Sequence, residues 1–88
     1  MSDKELFLCR VCGLEQADPP WGEDGKTASF LICHCCGTEF GYEDVKPISA
    51  KKARERWLSQ GSPWFWPKDK PENWDLEEQL QQIPTAFR

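Results

Sequence analysis

The sequence predicts a small α+β domain: a zinc-ribbon β core with two cysteine knuckles on β-hairpins, then one mid-chain helix and a short C-terminal helix. Three observations predict it. The pattern Cys-x-x-Cys-Gly is written twice, at 9–13 and 33–37. Apolar runs suited to strands precede both copies. From Ser49 onward the apolar residues are spaced for a helix instead.

The ribbon is expected over 5–42. The short run "ELFL" (5–8) leads as a strand into the first cysteine turn, and "TASFLI" (27–32), richer in strand formers, leads into the second. Between them "ADPPWGEDGK" is dense in proline and glycine and reads as an exposed loop. "TEFGY" (38–42) offers a third short strand leaving the second turn. A helix is predicted over 49–60, with Ser49 as its N-cap and Gly61 suited to its C-terminal end. Ala50, Ala53 and Trp57 share its buried stripe, with Leu58 at the edge and Trp57 as the docking anchor. Arg54 falls on the same side, its stem expected along the Trp57 ring and its head in water. Residues 62–74, "SPWFWPKDKPENW", suit no regular element and are expected to wrap the domain as an extended aromatic and proline segment. A last helix is predicted over 75–83. Asp75 and Glu78 have capping-box spacing, Leu76, Leu80 and Ile83 share a face, and Pro84 ends it. The whole chain, 1–88, reads as one domain.

Two cysteines separated by two residues can reach one ion from a tight turn whose backbone amides donate to the thiolates. The following glycine supplies the positive φ that such a turn tends to need. Twenty residues separate Cys12 from Cys33, at the upper end of the separation for paired zinc-binding turns. The expected ligands are Cys9, Cys12, Cys33 and Cys36, holding one Zn2+ per chain in a closed tetrahedral sulfur site. Iron in the same sulfur set is the alternative that spacing does not separate. Symmetry with the first turn pairs Cys33 with Cys36 and leaves Cys35 as a fifth thiol. Its plain role is a small buried filler; its sharper one is a redox or ligand-swapping thiol beside the metal. His34 reads as a surface residue of the turn.

At 39% hydrophobic and 30% charged over 88 residues, the chain has little apolar surplus for a large core. Chains of this size usually need a staple, and five cysteines supply one. No apolar run approaches the ~20 residues that cross a bilayer. The polar start "MSDKELFLCRVCG" lacks the marks of a secretion signal, so a cytoplasmic, reducing setting is expected, where cysteines serve as metal ligands more often than as disulfides. The formal charge of −4 opposes a general grip on a nucleic-acid backbone. A site closed by four cysteines keeps no position for water, and the single histidine sits inside the metal turn, so an enzyme is not expected.

The stretches "PPWGEDG", "ICHCCGTEFGYED", "RERWLSQG" and "KPENWDLEEQL" together resemble a family of short uncharacterised bacterial cysteine-rich proteins related to the CPCC group. The resemblance runs from about Cys9 to Leu80. In that family the second turn commonly reads Cys-Pro-Cys-Cys-Gly; here His34 replaces the proline, which leaves the outer cysteine pair intact and the turn less rigid. The resemblance implies a zinc-ribbon-like core with helical additions and carries no activity with it.

Two functions compete. Five tryptophans and five phenylalanines exceed what so small a core encloses. Trp21, on its Pro-Pro-Trp-Gly loop, and Trp64, Phe65 and Trp66, in a proline-bounded strip, are the candidates for exposure and for contact with a protein partner. The first reading is therefore a non-catalytic protein–protein interaction module. One version of it is an immunity-type protein that turns an acidic loop (Glu23, Asp24) or its acidic last helix to the basic active site of a toxin. The second reading is a nucleic-acid-binding zinc ribbon, resting on Lys51, Lys52, Arg54 and Arg56 in one helix. A redox or metal-responsive accessory role through Cys35 ranks third.

Overall fold

Both Cys-x-x-Cys-Gly segments close in the same way in the computed structural model, which describes residues 3–88; the first two positions of the predicted 1–88 domain lie outside the described residues. In the first, the Cys9 amide donates to Leu14 O and the Gly13 amide to Cys9 O, both at 2.9 Å. In the second, Cys33 donates to Thr38 O and Gly37 to Cys33 O, again at 2.9 Å. One further bond brackets each turn, from Gln16 N to Phe7 O and from Phe40 N to Leu31 O. Gly13 and Gly37 take positive φ angles of 86° and 78°, the conformation that lets each turn close.

These turns do not grow into strands. Each is flanked by a single antiparallel bridge, Leu8 with Glu15 and Ile32 with Glu39, and no sheet exists among the described residues. The expected α+β zinc ribbon with knuckles on β-hairpins is therefore corrected. Each of the three predicted strands meets its own obstacle. "ELFL" is taken up by a 3-10 helix, Asp3–Phe7. "TASFLI" breaks at Phe30, whose φ of 61° lies in the left-handed region that a strand cannot use. "TEFGY" turns away at Gly41, φ 102°, where the Asp44 carboxylate accepts from the Gly41 amide at 2.7 Å.

Regular structure is helical. Helix α1 spans Pro47–Ser59 and α2 spans Leu76–Leu80; short 3-10 turns occupy Pro67–Asp69 and Thr85–Phe87. Helix α1 starts before Ser49 because Pro47 fits the first helical turn, where its missing N–H leaves nothing unsatisfied. Its end is a Schellman closure, with Gly61 N donating to Leu58 O and Ser62 N to Trp57 O. Helix α2 is capped by Asp75, whose carboxylate accepts from Glu78 N at 3.1 Å, and it is shorter than the 75–83 expected.

The core is built on sulfur. Cys9, Cys12, Cys33 and Cys35 are buried together with Val11, Phe40, Ala50, Ala53, Trp57 and Trp64. The small side chains of Ala50 and Ala53 let α1 approach this cluster, and Trp57 closes the far end with its ring nitrogen donating to Pro63 O at 2.8 Å. A radius of gyration of 11.8 Å is close to the roughly 12 Å expected of a folded chain this long. No described helix is long and apolar enough to cross a membrane.

Candidate metal centre

The two turns point their outer cysteines at one another. The sulfurs of Cys9, Cys12, Cys33 and Cys36 all lie within 4.8 Å, with Cys9 Sγ 3.7 Å from Cys36 Sγ and Cys12 Sγ 3.6 Å from Cys33 Sγ. These separations are far too long for a disulfide bond. The 3.7 and 3.6 Å pairs match the roughly 3.8 Å edge of a tetrahedron whose corners sit ~2.3 Å from a central zinc. The four residues are close enough to hold a metal ion, and three of them are fully buried.

Local hydrogen bonds suit the sulfurs to charge. Val11 N donates to Cys9 Sγ at 3.4 Å, the Gln16 side-chain amide reaches Cys33 Sγ at 3.5 Å, and Thr38 Oγ1 lies 3.3 Å from Cys36 Sγ. Burial pushes the Cys9 and Cys12 thiols well above their ordinary pKa. Cys33, hydrogen-bonded by Cys12, Cys36 and Cys9, is held far below its ordinary value. A buried set of this kind cannot ionise fully on its own, and a metal cation held there would supply the missing compensation.

Cys35 stands apart from the four. It has no exposed surface, and its sulfur takes a 3.4 Å hydrogen bond from the Gln79 side-chain amide, which also donates to Cys12 O at 3.2 Å. Hydrogen bonds from Cys12 and Gln79 hold its pKa down. Enclosure on every side favours the filler role over redox chemistry with a soluble oxidant. His34 is exposed, stacks on Trp66 with centroids 5.7 Å apart, and meets Asp69 Oδ2 at 2.5 Å through Nδ1.

Three residues have partners that the sequence does not announce. Arg54 does not send its head into water. Its guanidinium donates to Val11 O at 2.6 Å, Arg10 O at 3.0 Å and Phe87 O at 2.6 Å, tying the first turn to α1 and to the chain end. Burial lowers its pKa, while the nearby sulfurs of Cys9, Cys12 and Cys36 push it back up. Gln79, also buried, bridges α2 to both Cys12 and Cys35 and accepts from the Trp74 ring nitrogen at 2.8 Å. Asp44 is completely buried and takes a 2.7 Å bond from the Trp21 ring nitrogen. Arg10 completes that knot, with its head 4.3 Å from the Trp21 ring centroid and 4.4 Å from that of Phe87. The helical stripe containing Ala50, Ala53 and Trp57 does place Arg54 on the inner side. Nothing in the local sequence signals the destinations of Gln79 or Asp44.

The aromatic candidates divide. Phe65 and Trp66 are half exposed, at 52% and 51%, whereas Trp64 is buried against Trp74 and Trp21 is half-buried on Asp44. Expected exposure thus fails for Trp64. Chain direction explains the split: Phe65 N and Trp66 N donate to Cys35 O and His34 O, which fixes the strip along the second turn with Trp64 turned inward. In the acidic loop, Asp24 is spent on its own turn, accepting from Lys26 N, Thr27 N and the Thr27 hydroxyl, and these bonds lower its pKa. On the basic face of α1, Arg54 is engaged inward and Arg56 pairs with Glu43, which leaves Lys51 and Lys52 exposed.

The chain is similar to two proteins of Bacillus subtilis (strain 168), both named as uncharacterised. The chain is 35% identical over 86 residues to YoaQ, covering 78% of this chain and 71% of YoaQ. It is 27% identical over 84 residues to YozI, covering 77% of this chain and 69% of YozI. No protein-family profile and no solved structure matches it. The bacterial resemblance holds at that coarser level, with no activity attached to it.

Proposed function

We propose, for a chain that belongs to the family of Bacillus subtilis YoaQ, that it is a zinc-stapled, non-catalytic protein-interaction module. The observation that carries the metal half is the convergence of four sulfurs within 4.8 Å of one another, two pairs at tetrahedral spacing, from two turns with matching backbone hydrogen bonds. Soft thiolates in that geometry suit zinc, with iron as the competitor. Four ligands from the chain fill the coordination shell, so the ion's role is structural and it has no open position for activating water. The interaction half is supported by Phe65 and Trp66 standing half exposed, and by Phe30 and Leu31 exposed near them. Inward use of Arg54 and the Arg56–Glu43 pair leave α1 a thin basic face, which weighs against nucleic acid.

Purified protein should carry one zinc per chain by elemental analysis and be colourless, since an iron centre absorbs in the visible. Zinc added to stripped protein should release protons, because Cys9 and Cys12 hold theirs at neutral pH and must give them up to bind metal. Cys9→Ser should lose the metal and unfold the chain. Full zinc retention by that variant would overturn the assignment.

A further inference from the structure

The exposed aromatics are not scattered. Phe30, Leu31, Phe65 and Trp66, from segments far apart in sequence, line one open cavity of about 640 Å³ beside the second cysteine turn. Phe30, Leu31 and Ile32 are three consecutive large apolar residues exposed at 66%, 58% and 42%. A run of that kind serves no purpose in a monomer's surface unless something covers it. Phe30 also sits at φ 61°, a conformation costly for a bulky residue, and its ring lies against Gly41 so closely that a Cβ there would come within 2.9 Å of it. Backbone strain and a glycine platform thus hold an aromatic ring out in water.

The charged lining of the cavity has one sign. Glu15, Asp18 and Asp69 border it, and no lysine or arginine does. Asp69 is occupied by His34, while Glu15 and Asp18 are exposed and in no ion pair among the described residues. Two copies of an acidic chain meeting here would set carboxylates against carboxylates, and a nucleic-acid backbone would be repelled outright. We infer that this groove docks a segment of a partner protein that inserts an apolar side chain between Phe30 and Trp66 and flanks it with lysine or arginine against Glu15 and Asp18. The inference rests on the interaction-module reading and gives it a surface and a partner chemistry.

Selection of a phage-displayed random peptide library on the zinc-loaded full chain tests it, with the winning peptide synthesised with a fluorescein label and titrated by anisotropy. The expected consensus is an aromatic or aliphatic residue flanked by Lys or Arg. Phe30→Ala and Trp66→Ala should each weaken binding at least tenfold while zinc content and circular dichroism stay unchanged. The double change Glu15→Gln with Asp18→Asn, on exposed side chains that leave the fold alone, should weaken it about threefold to tenfold and flatten its salt dependence. An acidic consensus, or a peptide whose binding ignores these variants, overturns the groove and leaves the module reading standing. A chain that dimerises in sedimentation and loses the dimer in Phe30→Ala overturns the partner in favour of a second copy. A library that yields no binder overturns both.

Discussion

The two cysteine turns share a backbone but not a setting. The first is sealed: Cys9, Val11 and Cys12 have no exposed surface, Arg54 clamps the carbonyls of Arg10 and Val11, and Gln79 holds that of Cys12. The second is half open. His34 stands in solvent at its tip, Cys36 is only partly covered, and the strip Phe65–Trp66 lies along it through two backbone hydrogen bonds. The first copy puts Cys9, Val11 and Cys12 in the core, whereas the second sends Cys33 and Cys35 into it and lends His34 to the rim of a groove. A repeated motif fixes local geometry; what the chain packs around it decides its use.

The glycines offer the sharpest way to break this comparison. A Cβ on Gly13 would sit 2.3 Å from the backbone oxygen of Gln79, whereas one on Gly37 would meet the Phe65 ring at 2.9 Å. Both positions add the left-handed penalty of about 1–2 kcal/mol. Overpacking against backbone adds about 1–3 kcal/mol more at Gly13, while the exposed Phe65 ring can swing aside. Gly13→Ala should therefore destabilise by roughly 2–5 kcal/mol and Gly37→Ala by about half as much, read from denaturant midpoints at fixed zinc. Equal losses would mean that the two turns are packed alike.

Arg54→Lys comes next. One ammonium cannot reproduce a planar fork spread over three carbonyls, so a loss of about 1.5–3 kcal/mol is expected. Faster amide exchange should be confined to 9–13 and spare 33–37. Faster exchange in both would show that the turns behave as one unit.

Smallest are the changes at the second turn. Cys35→Ser should keep its metal and lose about 1 kcal/mol for altered packing. His34→Ala removes an exposed pair with Asp69 and should cost no more than that, with zinc content unchanged. Metal loss from Cys35→Ser with retention by Cys33→Ser would reverse the ligand register.

What the sequence made legible follows the reach of each signal. The twice-written Cys-x-x-Cys-Gly is local chemistry, and its outer cysteines are the four whose sulfurs converge. Gly61 at the end of α1 and Asp75 at the start of α2 are likewise decided within four residues. Strand formation is not local. "TASFLI" has strand-forming composition, but it lacks a partner strand, and Phe30 turns instead to lie on Gly41. Trp64 and Trp66 are indistinguishable by type, and only the pairing of the strip with Cys35 and His34 decides which is buried. Helical period places Arg54 on the inner face, yet its partners include Phe87, 33 positions away.

The order of the sulfurs along the chain has a consequence for how it can vary. Cys12 meets Cys33 across 21 positions and Cys9 meets Cys36 across 27, so one closure lies inside the other. Once the inner pair has met, only the short turns 9–12 and 33–36 remain to be closed by the outer one. In polymer terms a metal held by these sulfurs would be a single clasp around residues 13–32. Doubling that loop would cost just ~0.6 kcal/mol, so the tether hardly limits its length. The limit comes from Trp21, which must still arrive at Asp44, and from Phe30, which must still reach Gly41.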